Sequence, residues 1–403
     1  MIFKIKLIGK AKNHVNHVNH VKKKKKGSNI MSDNIMRAGD RMRATYELKP
    51  VDHLHRQEFY IWEEALERWK GEGLPDDWRE QNLFNYDPQG MFGTGLGLGW
   101  CEPPFIPYFE DKLLESRGDY EIRQDGAGRT IQVFTGRTHG FMPIYMKHAV
   151  SNMADWEVVS QRLDSKNEKR WENLAETVTR QRDTAYAVGG MIQQNLVGGY
   201  MYLRALMGPE DLMYIMYDEP EVVHAAMKTW LELMDEGIRR VQEIIEIDEI
   251  FMAEDICYNH GLLISPDSMR EFLLPYYQQL LSNAGSRQHR KIYYQVDTDG
   301  DCRPALPVYS ELGLARMSPF EVASGCDVVE IGRQYPNLIM SGGIDKRILA
   351  EGKEAIDAHL EYILPAMVER GGYYPTCDHG VPDDVSFENY MYYRQRVCEL
   401  DHK

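Results

Sequence analysis

The chain has 403 residues, 43% of them apolar and 27% charged, and carries a net charge of −15. That charge argues against a nucleic-acid-binding surface and against an anionic membrane, and no apolar run approaches the roughly 20 residues of a membrane span. Six scattered cysteines with no CxxC pair argue against a disulfide framework and make the cytoplasm the default location.

Residues 1–30 differ from the rest. His14, His17 and His20 lead into the run Lys22 to Lys26, with no periodicity that would bury a core. The expectation is a disordered basic tail, with a later start at Met31 or Met36, and one globular domain over 31–403. No apolar segment follows the charges, so this is not a secretory signal.

Residues 36–70 read as helical, first from Arg41 to Leu48 and then from Phe59 to Trp69, with Gly71-Glu-Gly-Leu-Pro75 as the stop. The glycine-rich stretch Gly90 to Gly99 lacks the Lys-Ser/Thr of a phosphate loop and reads as an irregular connection. Tyr120 to Arg123 and Thr130 to Thr135 flank Asp125-Gly-Ala-Gly128, which is a hairpin signal. Trp156 to Arg170 reads as a charged surface helix.

From Ala185 a strand–helix alternation is expected. Long helical patterns cover Tyr200 to Tyr217, Pro220 to Ile245 and Lys346 to Arg370. Ser265 and Ser386 are expected N-caps, with Pro266 at a first helical position. Apolar runs end at Glu254, Asp297, Glu321, Asp345 and Asp378. Five such units are visible and a sixth begins near Ala185. Two more are expected between Leu83 and Val150. The count favours an α/β fold, a (β/α)8 TIM-type barrel with N-terminal helical and β-hairpin additions. An open doubly wound sheet is the rival, but no GxGxxG follows a first strand.

In such a barrel the strand C-terminal ends share one face. Glu254, Asp297 and His379 are therefore candidate metal ligands, with Cys377 as a further one, and Asp297 and His379 are candidate acid–base groups. Glu321 and Asp345 fit turn closure as well as chemistry. Asp299 and Tyr294 stand beside Asp297 as candidate substrate contacts. Arg41 and Arg43 are candidates for holding a substrate carboxylate.

Several stretches together resemble one family. Ser265-Pro-Asp-Ser-Met-Arg-Glu-Phe-Leu-Leu-Pro-Tyr, Ser341-Gly-Gly-Ile-Asp345-Lys, His379-Gly-Val-Pro-Asp-Asp-Val-Ser-Phe-Glu-Asn389 and Lys49-Pro-Val-Asp52 are similar to segments of the uroporphyrinogen decarboxylase superfamily. The resemblance is strongest over 250–403. It implies a distorted barrel with its active site at the strand C-terminal ends. It also implies one of two chemistries: cofactor-free decarboxylation of porphyrinogen side chains, or methyl transfer involving a corrinoid or thiol, often with zinc.

The chain departs from both patterns. His55-Arg-Gln-Glu58-Phe59 stands where the decarboxylases carry an arginine clamp, and Asp87 is the loose match to their catalytic Asp. Gln295-Val-Asp297 stands where thiol-type methyltransferases carry His-x-Cys. The expectation is a metal-dependent methyltransferase, with zinc as the metal that the resemblance implies, moving a methyl group between a small substrate and a corrinoid or thiol. The corrinoid would sit on a partner protein, and a homodimer is left open. The alternatives are a decarboxylase of a carboxylated substrate and a non-catalytic ligand-binding barrel.

Overall fold

A computed structural model describes residues 35–136 and 143–402. The expected tail at 1–30 lies outside the described residues. A curled sheet of seven parallel strands organises the molecule. In chain order these are β1 (Met91–Gly93), β2 (Met191–Val197), β3 (Glu249–Ala253), β4 (Tyr293–Asp297), β5 (Arg316–Ser318), β6 (Ile339–Ser341) and β7 (Tyr373–Tyr374). Each strand pairs with the next, and helices cross between β2 and β7, so the α/β reading and the strand–helix alternation hold.

The register stacks the inner face in levels. Asn195, Phe251, Gln295, Arg316 and Ile339 are successive partners across β2 to β6. One level higher, towards the strand C-terminal ends, lie Val197, Ala253, Asp297 and Ser318. Strand side chains alternate between faces, so the residues between these, such as Met252 and Val296, point into the helical layer and are fully buried there.

The eighth expected strand is not found among the described residues. Of the two strands expected between Leu83 and Val150, one is β1. Most of the remainder forms a four-stranded antiparallel sheet, Lys112–Arg117, Tyr120–Gln124, Thr130–Phe134 and Ile144–Lys147, which contains the expected hairpin. The gap between β7 and β1 is occupied by the non-helical segment 54–62. The Asp87 amide donates to Arg56 O on one side; on the other, the Trp62 amide donates to Val381 O and the Val381 amide to Tyr60 O. Ile61 and Val381 form one parallel bridge there.

Helix boundaries shift where local chemistry intervenes. Helices Ala38–Tyr46 and Glu63–Glu72 flank the 54–62 segment, the second closed by left-handed Gly73. Ala185–Gly190 is the end of helix Leu174–Ala187 rather than a strand. The Gly190 amide bonds back to Ala185 O, and β2 starts after it. The expected helix to Arg170 stops at Ser160, because Asp164 and Asn167 accept from the amides of Lys166 and Lys169 and fold the chain into turns. Gly208 and Gly352 divide the patterns at 200–217 and 346–370 into two helices each. Ser265 and Ser386 cap helices Pro266–Phe272 and Phe387–Leu400 as expected, accepting from the amides of Ser268 and Asn389.

Candidate functional site

Helix Ala38–Tyr46 packs against the strand-start end. Tyr46 Oη donates to Glu249 at the start of β3 and accepts from Arg316 Nη1 at 3.0 Å. Burial pushes the Glu249 carboxyl up, with Arg316 opposing it. This buried pair closes the floor of the sheet's inner face. Arg43 also belongs to this end, donating to Gly190 O just before β2 at 2.8 Å and lying 3.6 Å from Asp248. It is therefore not at the strand C-terminal ends, where a substrate carboxylate was expected.

Arg41 is fully buried and fully used. Its guanidinium grips Asp52 at 2.7 and 2.8 Å, Met36 O at 3.0 Å and Asp87 at 3.1 Å. Asp87 precedes β1, on the strand-start side, and is shared with His53 at 3.1 Å and His55 at 3.4 Å. Burial works to raise its pKa, but the His53 and Arg56 amide bonds and the nearby cations hold it below the usual carboxylate range. Arg41 and Asp87 thus anchor the 54–62 segment, and the Arg41 guanidinium, expected to hold a substrate carboxylate, is taken up by partners within the protein.

Glu254 and Tyr294 have the wrong parity for the inner face. Glu254 follows Ala253 and turns into the helical layer, where Tyr277 Oη donates at 2.5 Å and Tyr309 Oη at 2.8 Å. A side chain at Gly198 would collide with its carboxylate. Tyr294 packs in the same layer against Tyr309. The expected metal set of Glu254, Asp297 and His379 is therefore not assembled. Among the described residues no three His, Cys, Asp or Glu side chains come together as a metal-holding group.

Cys377 is fully buried, and burial raises its thiol pKa well above the ordinary value, with Glu58 and Asp378 adding to the rise. Glu58 also proves structural. Its carboxylate accepts from the Cys377 amide at 2.8 Å and from Tyr390 Oη at 3.3 Å. The strand-end acids Glu321, Asp345 and Asp378 close loops: Glu321 takes the Gly300 amide, Asp345 the Arg347 amide, and Asp378 the Val322 amide.

What remains at the mouth is a compact polar group. Ser318 Oγ donates to Asp297 Oδ2 and accepts from Gln295 Nε2 at 3.0 Å. His379 Nε2 lies 3.5 Å from Asp299. Asp255, at φ +49°, pairs with Arg204 at 3.0 Å. Burial pushes the Asp297 carboxyl up to about 7. Asp299 and Asp255 add to the rise, and the Ser318 bond and His379 oppose it. The hydrogen bond to Asp299 raises His379 against the effect of its burial. Asp297, Asp299 and His379 thus lie together at the mouth, with Asp297 in electrostatic reach of the other two.

Sequence reading gave no role to Ser318, Arg204 and Trp100, and noted Gln295 only as standing at a ligand position of the relatives. The indole of Trp100 stacks on Phe251 at 5.1 Å between centroids and 14° between planes. Gly99, at φ +83° and hemmed in by Glu102 O, turns the chain to place it there. The glycine-rich stretch thus has a role at the mouth. A concavity of about 750 Å³ elsewhere runs along helix Leu174–Ala187 between Glu176 and Thr184, but it gathers no converging chemistry.

The family model for uroporphyrinogen decarboxylase (URO-D) matches residues 128–400. The chain belongs to the URO-D family. The fold of this URO-D protein is like that of a methyltransferase from Methanosarcina mazei, with a TM-score of 0.57 at 14% identity over 90% of this chain and 98% of that one. At that identity the likeness is one of fold. Two further structures overlap in part: ZgEngAGH5_4 in complex with a cellotriose, at TM-score 0.34, 11% identity, 56% of this chain and 77% of that one, and xylanase XynB from Paenibacillus barcinonensis complexed with a conduramine derivative, at 0.29, 11%, 53% and 72%. Comparison with curated proteins gives no match. Among the described residues of the URO-D protein no helix is long and apolar enough to cross a membrane.

Proposed function

We propose that this URO-D family protein is a methyltransferase-like enzyme working at the strand-end mouth, with Asp297 and the Asp299–His379 pair as its proton-handling groups. The observation that carries the reading is the Gln295–Ser318–Asp297 chain, which ends in a buried carboxyl pushed up to about 7. A methyl group leaves a heteroatom readily when that atom departs neutral. A carboxyl that holds a proton near the working pH supplies that condition. The methyl–heteroatom bond breaks with its pair going to the heteroatom. The heteroatom takes the Asp297 proton, and the acceptor would be a thiolate or the reduced corrinoid of another protein, which would supply the pair of the new bond to carbon.

Zinc does not fit the side chains described above, and no step is assigned to it. The likeness of fold to a methyltransferase supports the choice of reaction without naming its substrate.

The test is a single-turnover assay. Methylated ethers, thioethers and ammonium compounds are offered with thiol and reduced-cobalamin acceptors, and acceptor methylation is read by mass spectrometry beside uroporphyrinogen decarboxylation. Methyl transfer is expected, cut by about 10²–10⁴-fold in Asp297→Asn. Carbon dioxide release from uroporphyrinogen at wild-type rate in Asp297→Asn, with no methyl transfer from any donor, would overturn the reading.

A further inference from the structure

We propose that Cys302 and Cys326 form a redox modification site behind the mouth, where hydrogen peroxide oxidises the pair to a disulfide that ties the loop carrying Asp299 to the loop carrying Glu321. The proposal stands on the contact of two thiols and does not rest on the methyltransferase reading.

Placement supplies the first argument. Strands β4 and β5 pair in parallel, with Asp297 beside Ser318 at their ends. Cys302 opens the turn into helix Leu306–Ser310 after β4, and Cys326 precedes helix Val328–Gln334 after β5. Both cysteines therefore stand on loops that leave the same end of the sheet. Three bonds hold these loops side by side. The Thr298 amide donates to Ser318 O at 3.0 Å, the Gly300 amide to Glu321 Oε2 at 2.9 Å, and Cys326 Sγ to Gly300 O at 3.5 Å. The two sulfurs lie 3.7 Å apart beside them. All six cysteines are free, and this is the one sulfur–sulfur contact among the described residues.

Hydrogen-bond direction supplies the second. A carbonyl oxygen only accepts, so Cys326 gives its proton to Gly300 O. The proton between the two sulfurs then belongs to Cys302. That bond pulls the Cys326 thiol below its ordinary value, with the Arg303 guanidinium helping and burial opposing. The same bond and burial push Cys302 well above. The thiolate is the nucleophile, so Cys326 is the sulfur attacked by oxidant first and Cys302 the one that resolves it. Both sulfurs are buried, which limits the oxidant to a small one. Arg303, held by Asp301 at 2.7 Å, is half exposed, and a side chain at Gly325, next to Cys326, would meet its guanidinium at 3.1 Å.

The chemistry balances. The Cys326 thiolate attacks one peroxide oxygen, and the O–O pair leaves on the other oxygen, which takes up the proton Cys326 has lost and departs as water. The Cys302 sulfur then attacks the sulfenic sulfur. The S–O bond breaks, and hydroxide leaves with the Cys302 proton as a second water. Two thiols and one peroxide thus give one disulfide and two waters. The sulfurs must close from contact to bonding distance, and the 298–302 loop is drawn with them towards 321–326.

The test treats the full chain with hydrogen peroxide, alkylates the remaining thiols under denaturing conditions, and reads the digest by mass spectrometry. A peptide pair joined through Cys302 and Cys326 is expected, and dithiothreitol should abolish it. In the oxidised protein, amides of 298–304 and 321–327 should exchange at least about tenfold more slowly than in the reduced one. Cys302→Ser should stop the reaction at the sulfenic acid of Cys326, which dimedone traps, whereas Cys326→Ser should leave Cys302 untrapped. The wild-type readouts stand whether or not either variant folds. No cross-link between the two, a cross-link of either to Cys257 in its place, or unchanged exchange in both loops overturns the proposal. None of these outcomes bears on methyl transfer, so the enzymatic reading stands or falls separately.

Discussion

Asp297 and Glu254 close neighbouring strands and face opposite ways, and their buried carboxyls are both pushed up to about 7. At Asp297 the proton sits where a ligand can use it. At Glu254 burial is the main cause, partly offset by the Tyr277 and Tyr309 bonds, and nothing outside the protein reaches it. The folded state therefore keeps a proton on Glu254 at pH values where the unfolded chain has lost it. Stability should fall as pH rises from about 4.5 to about 7 and level off above, by an amount on the order of 2–3 kcal/mol for this residue. Glu254→Gln keeps an oxygen for both tyrosines and removes the titration. Urea unfolding at about pH 5 and pH 8 should show a clearly smaller fall in the variant. An unchanged fall would mean that Glu254 is not the source. Which acids matter was half legible in sequence. Asp297, at the end of its strand, shares the parity of Tyr293 and Gln295. Glu254 lies one residue past the end of β3, and parity cannot be assigned until the strand's last residue is known.

At the scale of elements, helix Ala38–Tyr46 does what the sequence suggested for its position but not for its arginines. Its periodicity marked a helix, whereas Arg41 and Arg43 looked like free cations because their partners, Asp52, Asp87, Gly190 O and Asp248, come from other segments. Caps were legible because Ser265 and Ser386 bond within their own first turn. The two- and three-residue strands β5, β6 and β7 were legible as apolar runs but not in extent, since their ends are set by pairing. The helix's contact with the sheet floor makes a sharp expectation. Arg316→Leu leaves Glu249 buried without its cation, and the cost should be about 3–5 kcal/mol by urea unfolding. Replacing Glu249 by Leu as well should recover much of that loss, because the uncompensated charge is gone. A single-variant cost under about 1 kcal/mol would show that the pair is not desolvated in the way the geometry implies.

For the whole molecule, the repeated strand–helix unit made the curled parallel sheet legible, while its seam was not. Segment 54–62 shows no alternation, and what holds it in the gap is distant in sequence: Asp401 O takes the Leu54 amide, Asp401 Oδ2 takes Arg56 Nε at 2.6 Å, and Val381 bridges Ile61. The antiparallel sheet was legible only at its central hairpin, and it is attached differently from everything else. Strand Lys112–Arg117 is exposed along its whole length. Few side chains tie the sheet down. Ile122 and Ala127 are buried, Arg129 pairs with Asp125 at 2.7 Å and with Glu102, and Phe109 packs on Gly128. The parallel strands β2 and β3, by contrast, have no exposed residue on either face. A part with few buried apolar contacts opens at lower free energy than the part that carries the core. Amide exchange followed by mass spectrometry should show peptides from 112–134 exchanging at least about tenfold faster than those from β2 and β3. Arg129→Ala, which leaves Glu102 and Asp125 without their cation, should speed the first group and leave the second unchanged. Exchange of both groups at one common rate would mean that the antiparallel sheet unfolds only with the parallel sheet, as one cooperative unit.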